Sequence, residues 1–578
     1  MKRTILLPLF VFVVASCGPR EGRHTLHVLA TDDVHGAWFD SSYVDSRIRP
    51  SLFAVNYYVD SVRRADGAGN VLLLDAGDCL QGDNASYYHN YVDTRSEHLF
   101  SRLCAYMKYD AVTVGNHDIE TGHAVYDRVA KELKRHHIAF LAGNALRNGN
   151  GKPYFPAYRV FRRAGLKVLV MGYTNPNIRA WLDESLWSGM HFADLIPLVQ
   201  QDVDRLTAKL KPHVVIVSVH SGTGNGDGSM LESQGLDLLN SLHGVDLLVC
   251  AHDHRQTTVA GDGTVLLNNG SKSKYLGHGT VSVDIEGGKI VSKEAGASLI
   301  SVDKKKADPA MREAFRKDYE AVKAFTVREI GALALDLNTR DAYKGMCPCI
   351  DLIHTVQLKG SGADISFAAP LTFNGRVRAG ILLYNDLFTI YPFENQLFCL
   401  RLKGGEIKDY LEYSYGRWLA APGSGHALAI AHRDDPRNSK AGWSFINRSY
   451  NFDSAAGLDY TVDLTCPEGE RISILGLAGG KPFDPEAYYT VAMTSYRANG
   501  GGNLLIEGAG IAKEDLDARI TGKHKEIREF LYDFIQEHTL LDTDIISDRK
   551  LLGSWKFIPE PEAGKAIDSD MELLFGKD

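Results

Sequence analysis

Seven side chains able to hold a divalent cation are scattered over the first 254 residues, and nearly every one sits just past an apolar run. Asp33 and His35 lie in T-D-D-V-H-G, Asp78 in D-A-G-D-C-L-Q-G and Asn116 in V-G-N-H-D. His220 follows in V-S-V-H-S-G, and His252 and His254 close the set in C-A-H-D-H. Carboxylate, amide and imidazole without thiolate suit a pair of cations of the Mn, Zn, Fe or Mg type. Two such ions activate water and clamp phosphoryl oxygens, so the chemistry to expect is phosphoester hydrolysis. Each motif also has an ordinary reading, as a satisfied core histidine or a buried structural carboxylate. The pair at 252 and 254 is the most specific, because an i, i+2 spacing at a strand end points both imidazoles to one side. As an ordered set, the seven point to a metal centre.

Ligands so far apart in sequence meet only if a scaffold aims them at one place. A parallel sheet does this, since the carboxyl ends of its strands face one crevice. Strand-like runs occur at 26–31, 71–76, 110–114, 167–173, 213–219, 245–251 and 264–269, with amphipathic helical stretches such as 97–108 and 123–136 between them. Continuous β-branched runs separated by helices predict an α/β sheet buried on both faces over residues 24–305. Within a linker at 306–329 the pattern predicts a helix over 307–325. Asp308 is its N-cap, Pro309 takes the first helical position, and Met311, Phe315, Tyr319 and Val322 share one face. This linker is expected to let the domains rotate. From 330 to 557 the composition shifts toward Gly, Tyr and Asn, marking a second domain of mixed strands and helices. Residues 558–578 are acidic, contain Pro and read as a loosely docked tail.

At 578 residues the chain exceeds what one core can organise. Its net charge of −8 leaves no basic footprint, so a nucleic-acid polymer is not an expected partner, although a few Arg can hold a small anion. Residues 1–17 read as an export signal: Lys2 and Arg3, then an apolar stretch at 5–14 too short to span a bilayer, then Val-Ala-Ser before Cys17. The V-A-S-C junction resembles a bacterial lipobox, which implies lipid attachment at Cys17 and an exported, membrane-anchored protein. An ordinary signal peptide with an incidental Cys is the alternative. The seven later cysteines are odd in number and irregularly spaced, unlike a disulfide framework, and Cys347 and Cys349 receive no role. Glycines 222, 224, 226 and 228 fit no phosphate-cradling fingerprint and are expected in a mobile loop.

The order D-x-H, G-D, G-N-H-D, H and H-x-H over residues 25–300 resembles the calcineurin-like metallophosphoesterases, with Ala251 where that family often has Gly. The resemblance implies a four-layer αββα sandwich, two divalent metal ions, and His117 as the residue that assists the leaving group. It also implies that Glu120 orients that imidazole. Asp is usual at this position, and a solvated residue at a helix start is the competing reading. In the second half, S-F-A-A-P (366–370), Y-P-F-E-N (391–395), S-Y-N-F-D (449–453) and S-Y-R-A-N-G-G-G-N (495–503) look like the C-terminal α/β domain of secreted 5′-nucleotidases. Their wording is nearest to the 2′,3′-cyclic-nucleotide 2′-phosphodiesterase/3′-nucleotidase members. There two aromatics sandwich the base, a contact worth roughly 1–3 kcal/mol. Phe452 and Tyr496 match those positions, with Tyr450 a rival for the first. Asn374, Arg376 and Arg378 of N-G-R-V-R, together with Asn395, are candidate phosphate or ribose contacts, and either Arg reads equally as surface charge. Gly502 stands where 5′-nucleotidases often have Asp, which tilts the substrate away from simple 5′-nucleotides. The implied function is an exported dimetal nucleotide phosphohydrolase. A UDP-sugar hydrolase, a sulfur-ester hydrolase and a surface binding lipoprotein with a structural metal site are the alternatives.

Overall fold

The computed structural model describes residues 21–432 and 442–576. Cys17, and with it the expected lipid attachment, lies outside them. Each of the seven apolar runs contains a strand, and they divide between two six-stranded sheets. The first sheet runs Lys289–Ser301, Tyr275–Glu286, Gly22–Thr31, Val71–Asp75, Ala111–Thr113, Ala139–Leu141 from edge to edge. The second runs Gln256–Ala260, Val265–Asn269, Leu247–Val249, Val214–Val219, Leu166–Tyr173, Tyr158–Arg163.

The strands are apolar throughout because both of their faces are buried, which removes the period-two alternation of a one-sided sheet. Leu26, Val28 and Ala30 of the first sheet pack against Val168, Val170, Val214 and Ile216 of the second. On the outer side of the first sheet, Leu29, Leu73 and Val112 pack against helices Leu52–Asp66, Leu99–Met107 and His123–Arg135. On the outer side of the second, Leu169, Met171, Val215 and Val217 meet helices Leu195–Leu210 and Gly235–Ser241. The result is the four-layer αββα order. Gly22–Thr31, Val71–Asp75 and Ala111–Thr113 are parallel, as are Leu166–Tyr173, Val214–Val219 and Leu247–Val249. Their carboxyl ends therefore emerge along the same edge of each sheet, and the ligand loops begin there.

The connector is two helices, Pro309–Ala314 and Arg316–Thr326, broken at Phe315 where φ −109 and ψ 14 leave the helical region. Asp308 caps the first, accepting from the Ala310 N–H at 2.9 Å. Met311, Phe315 and Val322 are buried in the core of the N-terminal domain, so the connector is docked on that domain along most of its length.

The C-terminal domain is built on a mixed five-stranded sheet in the order Ser454–Ala456, Ile365–Ala368, Tyr488–Thr494, Gln396–Lys403, Ile520–Glu526. Helices Pro348–Ser361, Gly404–Trp418 and Ile527–Glu537 cover it. The expected loose tail is corrected: Glu562–Phe575 is a helix whose Ala563, Ile567, Met571 and Leu574 are buried in the domain core. These four recur at near-helical spacing, while the acidic residues that dominated the composition sit mostly on the outer face. Asp570 turns inward and accepts from the backbone N–H groups of Ala427 and Leu428 at 2.7 and 2.8 Å. Among the described residues, no helix is long and apolar enough to cross a membrane.

Candidate metal centre and nucleoside site

All seven candidate ligands converge where the two sheets present their carboxyl ends. Asp33, His35 and His254 form one triad and Asp78, His220 and His252 another, each with its donor atoms within 4.8 Å of one another. In the first, the Nε2 atoms of His35 and His254 are 3.0 Å apart and Asp33 Oδ1 lies 3.9 and 3.6 Å from them. In the second, His220 Nε2 is 3.1 Å from Asp78 Oδ2. Asn116 Oδ1 joins it, 3.0 Å from His220 Nε2 and 2.9 Å from His252 Nδ1.

Two of the imidazoles have their tautomers fixed by backbone carbonyls. His220 Nδ1 faces the Ala76 carbonyl at 2.8 Å and His35 Nδ1 faces that of Gln81 at 3.1 Å. A proton on each Nδ1 leaves the Nε2 lone pair aimed into the centre. Burial holds His252 down at about 3 and His254 at about 4, and burial together with the His254 charge holds His35 well below the usual range. These three rings are therefore neutral donors at physiological pH. Asp33 Oδ1 is buried without a hydrogen-bond partner, an arrangement that costs free energy unless a cation accepts it. Burial and the Asp32 and Asp78 charges push its carboxyl well above the ordinary range. This donor set fits two divalent cations.

The backbone is strained in the same place. Asp33, His35, Asp78, His252 and His254 all have positive φ, from 43° to 76°, a region that costs non-glycine residues about 1–3 kcal/mol and that recurs at functional sites. Gly115 is required by close approach, since a Cβ there would lie 2.1 Å from Asp78 Oδ1. Asp118 was not singled out from the sequence, yet it organises the turn. Its carboxylate accepts from the backbone N–H groups of Asp78, Cys79, Leu80 and Gly115 at 2.8–3.1 Å. Its one trace in the sequence is its place directly after G-N-H. The glycine run at 222–228 is tethered, with the Thr223 N–H donating to Asp253 and that of Gly228 to Asp237, both at 2.9 Å.

His117 projects beside the centre. Its backbone N–H donates to Asp78 Oδ1 at 2.8 Å, and its Nδ1 is 2.5 Å from Glu120 Oε2. Gln81 Nε2 holds the same Glu120 oxygen at 2.9 Å. Burial would lower His117, but the Asp78 and Glu120 carboxylates outweigh it and bring the imidazole up to about 9. Glu120, one methylene longer than the usual Asp, still reaches the ring.

In the C-terminal domain Tyr450 and Tyr496 are brought together by one residue. The buried Arg497 makes a two-pronged ion pair with Asp453, at 3.0 and 2.8 Å, and donates to the Tyr450 and Gly501 carbonyls at 2.7 and 2.9 Å. It thus ties the 449–453 and 495–501 segments to one another. Gly501 lets the Tyr496 ring lie against the chain, since a Cβ there would fall 2.5 Å from the ring. Phe452 is corrected as a base platform. It is 0% exposed and stacks on Trp418 within the core, centroids 5.7 Å apart, whereas Tyr450 is 37% exposed. The 3-10 turn Ser449–Asn451 sends Phe452 inward and Tyr450 outward.

Among the described residues, the remaining candidates make no hydrogen bond or ion pair with the seven ligands. Arg376 is paired with Asp336 and lines a cleft with Arg47, Arg49 and Asn385 that contains none of the seven ligands. Arg378 and Asn374 are exposed. Asn395 is buried and structural, with its carbonyl accepting from the Ile527 N–H at 3.0 Å and its side chain 3.4 Å from Tyr391 Oη.

Comparison with known proteins agrees with this geometry. Residues 26–256 match the calcineurin-like phosphoesterase family and residues 325–507 the 5′-nucleotidase C-terminal domain family. The chain is 24% identical to a 2′,3′-cyclic-nucleotide 2′-phosphodiesterase/3′-nucleotidase of Haemophilus influenzae, over 92% of this chain and 87% of that protein. It is 22% identical to the trifunctional nucleotide phosphoesterase protein YfkN of Bacillus subtilis, over 94% of this chain but only 40% of that longer protein. In fold it resembles a Staphylococcus aureus crystal structure provisionally named a 5′-nucleotidase, with a TM-score of 0.76 at 20% identity, covering 92% of this chain and 99% of that one. The chain therefore joins a calcineurin-like phosphoesterase domain to a 5′-nucleotidase C-terminal domain, and is a phosphoester hydrolase of that lineage.

Proposed function

We propose that this protein is an exported, metal-dependent nucleotide phosphohydrolase that opens 2′,3′-cyclic phosphates and releases phosphate from nucleoside monophosphates. The observation that supports the reading is the presence, in one chain, of two ligand triads and of an aromatic pair in the C-terminal domain, the exposed Tyr450 and the half-buried Tyr496. When bound, two divalent cations would supply Lewis acidity toward phosphoryl oxygens and an activated water. Asp33, His35 and His254 would hold one, and Asp78, Asn116, His220 and His252 the other.

The chain's own residues do the rest. His117, with Nδ1 tied to Glu120, keeps Nε2 free to give a proton to the departing ribose oxygen, and the Glu120 carboxylate favours the charged form of the ring. Tyr450 and Tyr496 hold the base by stacking, without selecting purine over pyrimidine. Gly502 in place of an acidic residue supports cyclic and 3′ substrates over simple 5′-nucleotides. Export and anchoring through Cys17 rest on the character of residues 1–17.

The test is phosphate release from AMP and 3′-AMP directly, and from 2′,3′-cyclic AMP and a UDP-sugar with a coupling phosphomonoesterase that frees phosphate from the monoesters formed, with and without Mn²⁺. Turnover of 2′,3′-cyclic AMP and 3′-AMP above AMP supports the reading. Preference for the UDP-sugar moves it to the nucleotide-sugar alternative, and no turnover of any substrate with Mn²⁺ leaves a binding protein.

A further inference from the structure

Four imidazoles serve the candidate metal centre, and they are not oriented in the same way. His220 and His35 are fixed by carbonyls facing their outer nitrogens. His252 has no such partner on its Nε2 among the described residues; its ring is held on the inner side only, by Nδ1 facing Asn116. Instead the Trp181 indole lies over it, with centroids 5.2 Å apart and planes 18° from parallel. The edge of His220 meets the same imidazole from another direction, at 5.4 Å and 73°.

Trp181 ends the short helix Ile178–Trp181, in a segment that ties the two domains together. That helix packs against Ser495–Ala498, the turn that carries Tyr496. Two residues further on, Asp183 caps the next turn through the Ser185 N–H and pairs with Lys523 of the C-terminal domain at 2.5 Å. Trp181 is thus held in register from both sides.

We propose that Trp181 is a positioning residue for the metal centre: its indole fixes the plane of His252, replacing the hydrogen bond that orients the other buried ligand rings, and so sustains the cation held by Asp78, Asn116, His220 and His252. The proposal rests on the dimetal reading but not on any particular substrate. Outer partners of metal-ligating histidines commonly contribute about 10–100-fold in metal affinity. Loss of the indole should weaken one cation by about that factor and leave the other, on Asp33, His35 and His254, unchanged.

The experiment titrates metal-free protein with Co²⁺, following the number of ions bound by elemental analysis and the tryptophan fluorescence. The wild type, with six tryptophans, should bind two ions, one of them quenching a fraction of the emission. Trp181→Phe should still bind two ions but lose that fraction of the quenching, because its ring stacks without emitting as indole does. Trp181→Ala should retain one tight ion and bind the second about 10–100-fold more weakly, with kcat reduced and KM little changed on the best nucleotide. Wild-type affinity for both ions in Trp181→Ala, or undiminished quenching in Trp181→Phe, overturns the proposal. Should Trp181→Ala fail to fold, the Trp181→Phe quenching decides alone. A wild-type protein that binds fewer than two ions refutes the dimetal reading itself, whatever the variants do.

Discussion

Replacing Glu120 with Gln removes a single charge from the His117 pair while preserving its size. In the structure Glu120 Oε2 lies 2.5 Å from His117 Nδ1 and is itself braced by Gln81. A hydrogen bond to a charged partner contributes about 1.5–3 kcal/mol, against about 1 kcal/mol for a neutral one. The variant should therefore lose about 1–2 kcal/mol of preference for the imidazolium. At 1.4 kcal/mol per factor of ten, kcat should fall about 5–30-fold, with KM and metal content unchanged. The direction of the pH effect follows from the same contact. Glu120 helps bring His117 up to about 9, so its loss moves the proton affinity of the acid toward the ordinary imidazole range. The alkaline limb of the kcat profile should then shift to lower pH by about one unit. The assay is steady-state phosphate release from 3′-AMP between pH 5 and 10, with elemental analysis of the same samples. A kcat within twofold of wild type and an unmoved alkaline limb would refute the assignment of Glu120. A drop in bound metal would show that it acts on the ligands instead.

Four further expectations rest on particular contacts. Tyr496→Ala and Tyr450→Ala should each raise KM for nucleotides by about 5–150-fold, the equivalent of about 1–3 kcal/mol of stacking, while turnover of p-nitrophenyl phosphate is unchanged. Phe452→Ala should instead lower thermal stability by about 3–5 kcal/mol and leave nucleotide KM near wild type in the folded fraction; the opposite pattern would restore Phe452 as the base platform. Arg497→Met breaks a fully buried pair with Asp453 and should cost about 3–5 kcal/mol in denaturant unfolding, an idea abandoned if the midpoint does not move. Glu394 lies in the domain seam, its carboxyl accepting from Tyr91 at 3.0 Å, and burial raises it to about 7, with the Glu120 charge adding to the rise and Arg528 opposing it. A raised carboxyl favours the folded state fully below the unfolded value near 4.5, and that advantage is lost as pH rises through about 7. Glu394→Gln should therefore unfold at a higher temperature than wild type at pH 8 but not at pH 5, and a difference independent of pH would contradict this.

The metal ligands were legible because their chemistry is carried by residue type and by position after apolar runs. The runs themselves were unambiguous because burial on both faces makes whole strands apolar, as in Val168–Val170 and Val214–Val217. What the chain order could not reveal was direction. Whether Tyr450 or Phe452 faces solvent depends on a single 3-10 turn, and two aromatics two residues apart give the same composition either way. The N-G-R-V-R run had the right groups for an anion, but Asp336, forty residues away, already neutralises Arg376. Residues 558–578 were misjudged because net acidity is a property of one helix face, whereas docking is decided by the spacing of Ala563, Ile567, Met571 and Leu574. Asp118 and Arg497 act on backbone groups brought close only by the fold, and such roles leave little trace in sequence.

The most direct test of two cations acting on a nucleotide phosphoester is to titrate chelator-treated, metal-free protein with Mn²⁺ while recording phosphate release from 3′-AMP. No release is expected at the start, and a plateau at two equivalents per chain. Full turnover in excess chelator, or a protein that binds Mn²⁺ at both triads and still hydrolyses nothing, would contradict it.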